Sequence, residues 1–503
     1  MGGSHRRYIL FVAVFLLVLL FFLTRLQYTS VPPLNAHGDI HNDVHKEVSK
    51  GSTASSEYTP ICPEWQTSTL EYRGIKLSPK INYVRRCIKP KYDDSIARYN
   101  RGDGHFVDRV VNVSGPLITE TTLVDLKACD FPEYTSCDTI ELPVQRPYPK
   151  KKFDEFAFGV ATTYERLEKS IPELRHWLAD SSATLIALVA DKEDEVKSKK
   201  LDFSRLVRDF ADAGMTLKIA RPHGRDHSVE KSHMMVIRDV LSHIDVEGNA
   251  SETRWLGILD DDTFFPSLYP LSEALSGYNH TIPTYLGTVS ENLELSQIGG
   301  PGAAYGGAGI FLSVPLAREI APHLDSCLSE RGGDMQIMEC IHDHSHARLL
   351  PVPGLQQTDM ASDVSGFFES GRRFLSLHHW KSWFHEPVEK QAAVVNVCGD
   401  CYLQRYSFDD NTILTNGFSI NVYPNGYPDF TRVEATWDYG YSARSYHWSM
   451  GPLRPPMSKK DKLTYKVVDA FTTKDGTFRQ IFVRKGDREK KEVDKVIDLL
   501  WQV

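Results

Sequence analysis

Residues 254–262 read RWLGILDDD, and the fold turns on them. An apolar run, Trp255 to Leu259, stops at three adjacent carboxylates, Asp260, Asp261 and Asp262, followed by Thr263. The run has the length and makeup of a buried strand. Three carboxylates at its end repel one another and lose hydration, and a divalent cation is the usual agent that offsets such a cost. Hard oxygen ligands suit Mn²⁺ or Mg²⁺, either of which can clamp a diphosphate. The plainer alternative is a solvated acidic turn capping a helix that begins near Pro266. A D-x-D-x-T phosphatase nucleophile does not fit, because Phe264 stands where its Thr must be.

Upstream, FAFGVATT (156–163), ATLIALVA (183–190) and TLKIA (216–220) also read as buried strands. Between them 165–179, 203–213 and 228–243 read as helices; in the last, Met234, Ile237 and Leu241 fall on one face. Strands alternating with helices predict an α/β fold, a mostly parallel sheet with helices on both faces. Ligands of such sheets bind beyond the carboxyl ends of the strands, which is where the acidic triplet falls.

Three further motifs follow. YGGAGIFLS (305–313) places Gly306, Gly307 and Gly309 where backbone can approach a ligand or another segment closely. Gly332-Gly333-Asp334-Met335 opens an apolar helix, and Asp334 is either its N-cap or a general base. LSLHHW (375–380) ends an apolar run with His378 and His379, which are either metal ligands or ordinary histidines. No phosphate loop of the G-x-x-x-x-G-K-[ST] type, no H-E-x-x-H and no G-x-S-x-G elbow occurs.

In order and spacing, DDDTFF, YGGAGIFLS, GGDMQIM and LSLHHW together resemble the fringe-like branch of glycosyltransferase family 31, over roughly residues 153–385. The resemblance implies a GT-A fold, a UDP-sugar donor, Mn²⁺, and inverting transfer to a glycan or glycoprotein, commonly in β1,3 linkage. It implies that Asp260, Asp261 and Asp262 hold the metal and the donor, Asp262 being the direct ligand. It makes Gly306 and Gly307 part of the donor pocket, Asp334 the catalytic base, and His378 or His379 the metal-binding histidine. Thr162, Thr163 and Arg166 would contact the nucleotide. The family often has two adjacent acids where this chain has Gly333 and Asp334, so the base role rests on Asp334. Two other readings stay open: a carbohydrate-binding protein that keeps the fold without catalysis, and a metal-dependent phosphohydrolase.

Composition fits an ordinary globular protein. Of 503 residues, 41% are hydrophobic and 25% charged, and 58 Lys plus Arg against 66 Asp plus Glu give a net charge of −8. That balance speaks against a nucleic-acid partner, which needs a basic surface. Residues 8–23, YILFVAVFLLVLLFFL, follow Arg6 and Arg7 and are closed by Arg25. With their flanks they suffice for a transmembrane helix of about 17–25 residues, and no small-residue cleavage site follows. The expectation is a single-pass type II membrane protein: cytosolic tail 1–7, anchor 8–24, stem 25–60, and the remainder luminal; the resemblance to fringe-like glycosyltransferases implies the Golgi membrane. Sequons at Asn112, Asn249 and Asn279 and eight cysteines agree with a lumen. Proximity suggests the pairs Cys62–Cys87, Cys129–Cys137, Cys327–Cys340 and Cys398–Cys401.

Residues 61–150 read as a small cysteine-containing subdomain and 151–385 as the catalytic domain. Residues 386–503 read as a β-rich appendage closed by a helix over 488–503, where Val493, Val496, Ile497 and Leu500 share a helical face. His342, His344 and His346 alternate at a helix end, more in the manner of a solvated terminus than of a metal site. Trp380 and Trp383 either stack on an acceptor sugar or pack in the core. Self-association is not legible.

Overall fold

A computed structural model describes residues 75–93, 110–126, 137–222, 228–246, 252–298, 302–440 and 447–502. The anchor (8–24), the stem (25–60), Cys62, Cys129 and the Asn249 sequon lie outside them. Among the described residues no helix is long and apolar enough to cross a membrane. All of them belong to one unit, residues 60–503.

The apolar runs form a seven-stranded sheet in the order Leu349–Pro351, Tyr285–Gly287, Ile310–Ser313, Trp255–Leu259, Phe156–Thr162, Thr184–Val189, Thr216–Ala220. All but Ile310–Ser313 run in one direction. Successive side chains of a strand point to opposite faces, and here each set finds its own core. Phe158, Leu185, Ala187 and Leu259 pack with Trp177, Leu206 and Phe210 on one face. Ala157, Ile186, Leu188, Leu256 and Ile258 pack against Met234, Ile237 and Val240 of the helix Val229–Val246 on the other. This is the mixed α/β arrangement with helices on both faces.

The helix read over 165–179 is two short helices, Tyr164–Lys169 and Ile171–Leu178. Pro172 at the start of the second cannot continue the backbone ladder of the first, which accounts for the break.

A ten-stranded sheet gathers the two ends of the unit. Strands Arg405–Phe408, Thr412–Thr415, Ser419–Val422, Leu463–Thr472, Phe478–Arg484 and Asp494–Trp501 continue into Lys80–Tyr92 and Thr122–Asp125. Segments 61–150 and 386–503 therefore share one sheet. Its buried side chains, Phe418, Phe482 and Trp501 among them, belong to the same cluster as Phe158 and Phe311.

The helix expected over 488–503 is not formed. Asp494–Trp501 is a strand, antiparallel to Phe478–Arg484 and parallel to Lys80–Tyr92. Its apolar residues satisfy a helical period, but pairing on both sides decides the outcome, and local pattern cannot report such distant partners. Asp498 is fully buried in it, held by Tyr83 Oη at 2.5 Å and by the guanidiniums of Arg479 and Arg85.

The cysteine pairing also needs correction. Cys87 is bonded to Cys137, which overturns the Cys62–Cys87 and Cys129–Cys137 pairs. Cys87 pairs with Thr139 in the parallel ladder of Lys80–Tyr92 and Thr139–Val144, and this brings Cys137 beside it. The bonds Cys327–Cys340 and Cys398–Cys401 form as expected.

Removing a buried partner leaves its counter-charge uncompensated, so Asp498→Ala should lower stability by about 3–5 kcal/mol. Chemical denaturation measures this; a change within about 0.5 kcal/mol, typical of a surface site, would be incompatible with a buried strand at 494–501.

Candidate functional site

Strand Trp255–Leu259, the middle one of the seven, delivers the triplet at its carboxyl end, and the three carboxylates meet different partners. Asp261 is clamped: Arg166 grips both its oxygens, Thr162 Oγ1 donates at 2.5 Å, and Lys381 Nζ lies 3.7 Å away. The ion pair in turn raises the pKa of Arg166. Thr163 caps the helix Tyr164–Lys169 by accepting from the Arg166 N–H. The residues expected to touch the nucleotide thus also fasten that helix to the end of the acidic strand.

Asp262 is buried, with His378 Nε2 2.9 Å from Oδ1 and Ser382 Oγ donating to Oδ2 at 3.1 Å. Burial opposes its ionisation, but the His378 contact outweighs burial and holds the carboxyl below the usual carboxylate range. Asp260 is the most open of the three, its side chain 36% exposed, with Oδ2 3.3 Å from His378 Nε2. Burial likewise works against charge on His378, yet Asp260 and Asp262 push its pKa up to about 10.

A short bridge brings the histidines here. Phe264 and Leu377 exchange both backbone hydrogen bonds, at 2.8 Å each, so DDDTFF and LSLHH lie side by side. His379 follows in the left-handed region, at φ 61°, and its Nε2 lies 3.0 Å from Asp359 Oδ1. Ligand atoms of Asp262, His378 and His379 all fall within 4.8 Å of one another. This donor set, with Asp260 beside it, suits a divalent cation: carboxylate oxygens plus imidazole. His378 is the better-placed histidine, because its Nε2 faces two carboxylates while that of His379 is engaged by Asp359.

Asp334 sits in the first turn of the helix Gly333–His344, whose N-cap is Gly332, so the N-cap reading of Asp334 does not hold. Its Oδ1 accepts from the Gly306 N–H at 3.0 Å and lies 3.0 Å from His233 Nε2. Burial pushes this carboxyl up, with His233 opposing in part. His233 Nδ1 lies 3.6 Å from Asp260 Oδ1. Burial disfavours its charge, but the two carboxylates outweigh burial and raise its pKa.

The glycines make room for these rings. A Cβ at Gly307 would run into the His378 imidazole, and one at Gly306 would stand 2.6 Å from His233 Cε1. Gly306 and Gly307 therefore shape the site by letting two histidines close in on the triplet.

Outside this cluster, Trp380 is buried, whereas Trp383 is 45% exposed and stacks on His379 at 4.1 Å. His344 stacks on His323 at 3.8 Å. Cys327 and Cys340 gather with His344, but their thiols are spent in a disulfide.

Sequence reasoning missed five groups, Lys381 among them. His233 lies on a helix read only for its apolar face; Gly333, against which it packs, is the one local hint that something bulky abuts there. Ser382 and Asp359 carried no motif. Glu291, fully surrounded by protein, accepts from the N–H of Gln357 and of Thr358, at 2.9 and 2.8 Å. Thr358 is left-handed, φ 57°, and the Gln357 carbonyl receives His378 Nδ1 at 3.2 Å. Glu291 thus fixes the turn that orients His378. Burial, with Asp359 adding, pushes the Glu291 carboxyl up to about 7.

Residues 209–355 match the fringe-like family model, and residues 300–427 match a family described as a protein of unknown function, DUF604. No curated protein matches the chain. Similar solved structures include the mannosyltransferase PcManGT from Pyrobaculum calidifontis in complex with GDP-Man and Mn²⁺. It is 14% identical over 42% of this chain and 58% of that one, at a TM-score of 0.27. The glycosyltransferase GlyE of Streptococcus pneumoniae TIGR4 is 14% identical over 40% of this chain and 45% of its own, at 0.25. Mouse xyloside xylosyltransferase 1 in its apo form is 10% identical over 39% and 84%, at 0.24.

The raised pKa of Glu291 makes stability depend on pH. The neutral carboxyl is favoured in the fold, so its contribution is complete below 4.5 and is lost as pH rises to about 7. That interval corresponds to about 3 kcal/mol. Glu291→Gln cannot ionise and should lack this slope, which urea unfolding at several pH values between the two limits measures. Identical pH dependence in both proteins would mean that Glu291 titrates as an ordinary surface carboxyl.

Proposed function

We propose that this chain, whose residues 209–355 match the fringe-like family model, is a glycosyltransferase that moves a sugar from a UDP-sugar to a hydroxyl of a glycan or glycoprotein with inversion. A β1,3 linkage and attachment to the Golgi membrane through residues 8–24 belong to the same reading and rest on the sequence. The observation that carries the proposal is the single cluster uniting Asp260, Asp262 and His378 with Asp334, through His233 and Gly306.

Inverting transfer needs one base and no covalent intermediate. Asp334 would take the proton of the acceptor hydroxyl as that oxygen bonds to the anomeric carbon, and the bond from that carbon to the diphosphate oxygen breaks, releasing UDP. Its two contacts fall on Oδ1, which leaves Oδ2 for the acceptor. The side chain keeps 21% of its exposure, enough to be reached. A pKa pushed up by burial matches a group that must accept a proton and give it up again. Asp262, Asp260 and His378 would hold Mn²⁺ or Mg²⁺, with His379 beside them. A bound ion of this kind neutralises charge on a leaving diphosphate. Arg166 and Lys381 add positive charge on the same side, where they face Asp261.

The direct test is a panel of nucleotide sugars scored for UDP release with Mn²⁺ and a mixed glycan acceptor. Acceptor-dependent release of UDP supports the proposal; phosphate release without sugar transfer favours a phosphohydrolase, and no release with intact glycan binding favours a lectin-like role. Two variants probe the residues. Asp334→Asn should bind donor normally and lose at least about 100-fold in transfer, the scale of general-base catalysis; full activity would remove it from that role. Asp262→Ala should lose ion-dependent UDP affinity in calorimetry, and an unchanged titration would move the metal elsewhere.

A further inference from the structure

His233 belongs to no motif, yet it lies between the two halves of the site. Four contacts close a circuit. The Asp260 N–H donates to the Gly306 carbonyl at 3.2 Å. The Gly306 N–H donates to Asp334 Oδ1 at 3.0 Å. Asp334 Oδ1 lies 3.0 Å from His233 Nε2, an ion-pair contact in which the ring N–H is not aligned for a hydrogen bond. His233 Nδ1 faces Asp260 Oδ1 at 3.6 Å. One path runs through backbone and the other through a buried imidazole, and both join the end of the acidic strand to Asp334.

The space around the ring is built for it. A Cβ at Gly333 would stand 2.7 Å from His233 Cβ and 2.8 Å from the Glu230 carbonyl, and one at Gly306 would stand 2.6 Å from Cε1. Side chains at either position are therefore incompatible with the ring where it is. His233 is itself buried on the helix Val229–Val246, which packs against the sheet through Met234 and Ile237. Its position is thus set by the core rather than by the ligand.

We infer that His233 is a positioning residue: it holds the Asp334 carboxylate by Oδ1, at a fixed separation from Asp260, so that the other oxygen faces the acceptor. This rests on the reading of Asp334 as the base and adds to it the residue on which its aim depends. Gly333 is part of the same device. The absence of a side chain there is the condition for the imidazole to lie against the start of the helix Gly333–His344.

Amide isosteres separate the two ring nitrogens in the full-length protein. A Gln side chain can place its amide nitrogen near Nε2, whereas that of Asn reaches only as far as Nδ1. His233→Asn should lower kcat by about 100-fold, the scale of a misplaced reacting group. Donor KM and the calorimetric affinity for Mn²⁺ should stay unchanged, because Asp262 and His378 are untouched and the Asn amide still reaches Asp260 from the place of Nδ1. His233→Gln should recover most of kcat. Gly333→Ala presses on the ring without removing it and should lower kcat with the same unchanged donor KM; it decides the matter should His233→Asn fail to fold. Wild-type kcat in His233→Asn or in Gly333→Ala would overturn the inference. So would equal losses in the Asn and Gln variants, or a fall in donor affinity that accounts for the loss. Full transfer by Asp334→Asn would overturn the base assignment instead, and that variant is run alongside to keep the two failures distinct.

Discussion

Three carboxylates at the end of one buried strand cannot all stay ionised unless each is met by a positive or donating group, and the surrounding structure is arranged to meet that requirement. The answers are unequal. Asp261 is held by Arg166, Thr162 and Lys381, a set that consumes its capacity and locks the helix after the first strand to the triplet. Asp262 is buried against His378 and Ser382. Asp260 remains partly open and is shared between His378 and His233. One carboxylate therefore serves the scaffold and two face the cluster where the proposed ion would sit. An acidic turn that only capped a helix would not place buried imidazoles against two of its three members, since burying a charge is unfavourable unless it is paired.

That division alters the meaning of the glycine-rich motif. Glycines next to a nucleotide site invite the reading that the ligand needs the space. Here the space at Gly306, Gly307 and Gly333 is already filled by the chain's own imidazoles. The motif is required by internal packing between the triplet, the helix that starts at Gly333 and the arm that ends in His378. A substitution at these glycines would act on the ligand site through displaced histidines.

Much of this was legible in the sequence, and the divide follows physical range. Apolar runs at 156–162, 184–189 and 255–259 gave the central strands, because burial on both faces leaves a local mark; 216–220, read as a buried strand, lies at the sheet's edge with Thr216 and Lys218 exposed. The acidic triplet, the glycines, Asp334 and the histidine pair were visible for the same reason: each is a dense local cluster. The failures share a non-local cause. Whether 494–501 is helix or strand depends on partners at 80–92 and 478–484. Whether Cys87 meets Cys62 or Cys137 depends on which strands pair in the sheet. His233 is one buried residue among apolar neighbours, and its chemistry comes from carboxylates 27 and 101 positions further along the chain.

The C-terminal part, which carries no chemistry of its own in the sequence, nevertheless supports the arm that brings the histidines. The segment before that arm is packed against it: Phe368 stacks on Phe418 at 4.7 Å, and Gly366 lies so close to the Glu434 carbonyl that a Cβ would not fit. Lys462 is buried between Glu369 at 2.5 Å and Glu434 at 2.9 Å, and Arg454 adds a second cation on Glu434. Such a buried network is weak as a source of net stability but strongly selective for one arrangement, because each charge tolerates only its own partners. Glu369 precedes His378 by nine residues, and between them Phe374 stacks on Phe367 at 4.8 Å while Leu377 joins Phe264. The histidine arm is therefore fixed at both ends, by the packing of Phe368 and Glu369 against the C-terminal part at one and by the bridge to the acidic segment at the other.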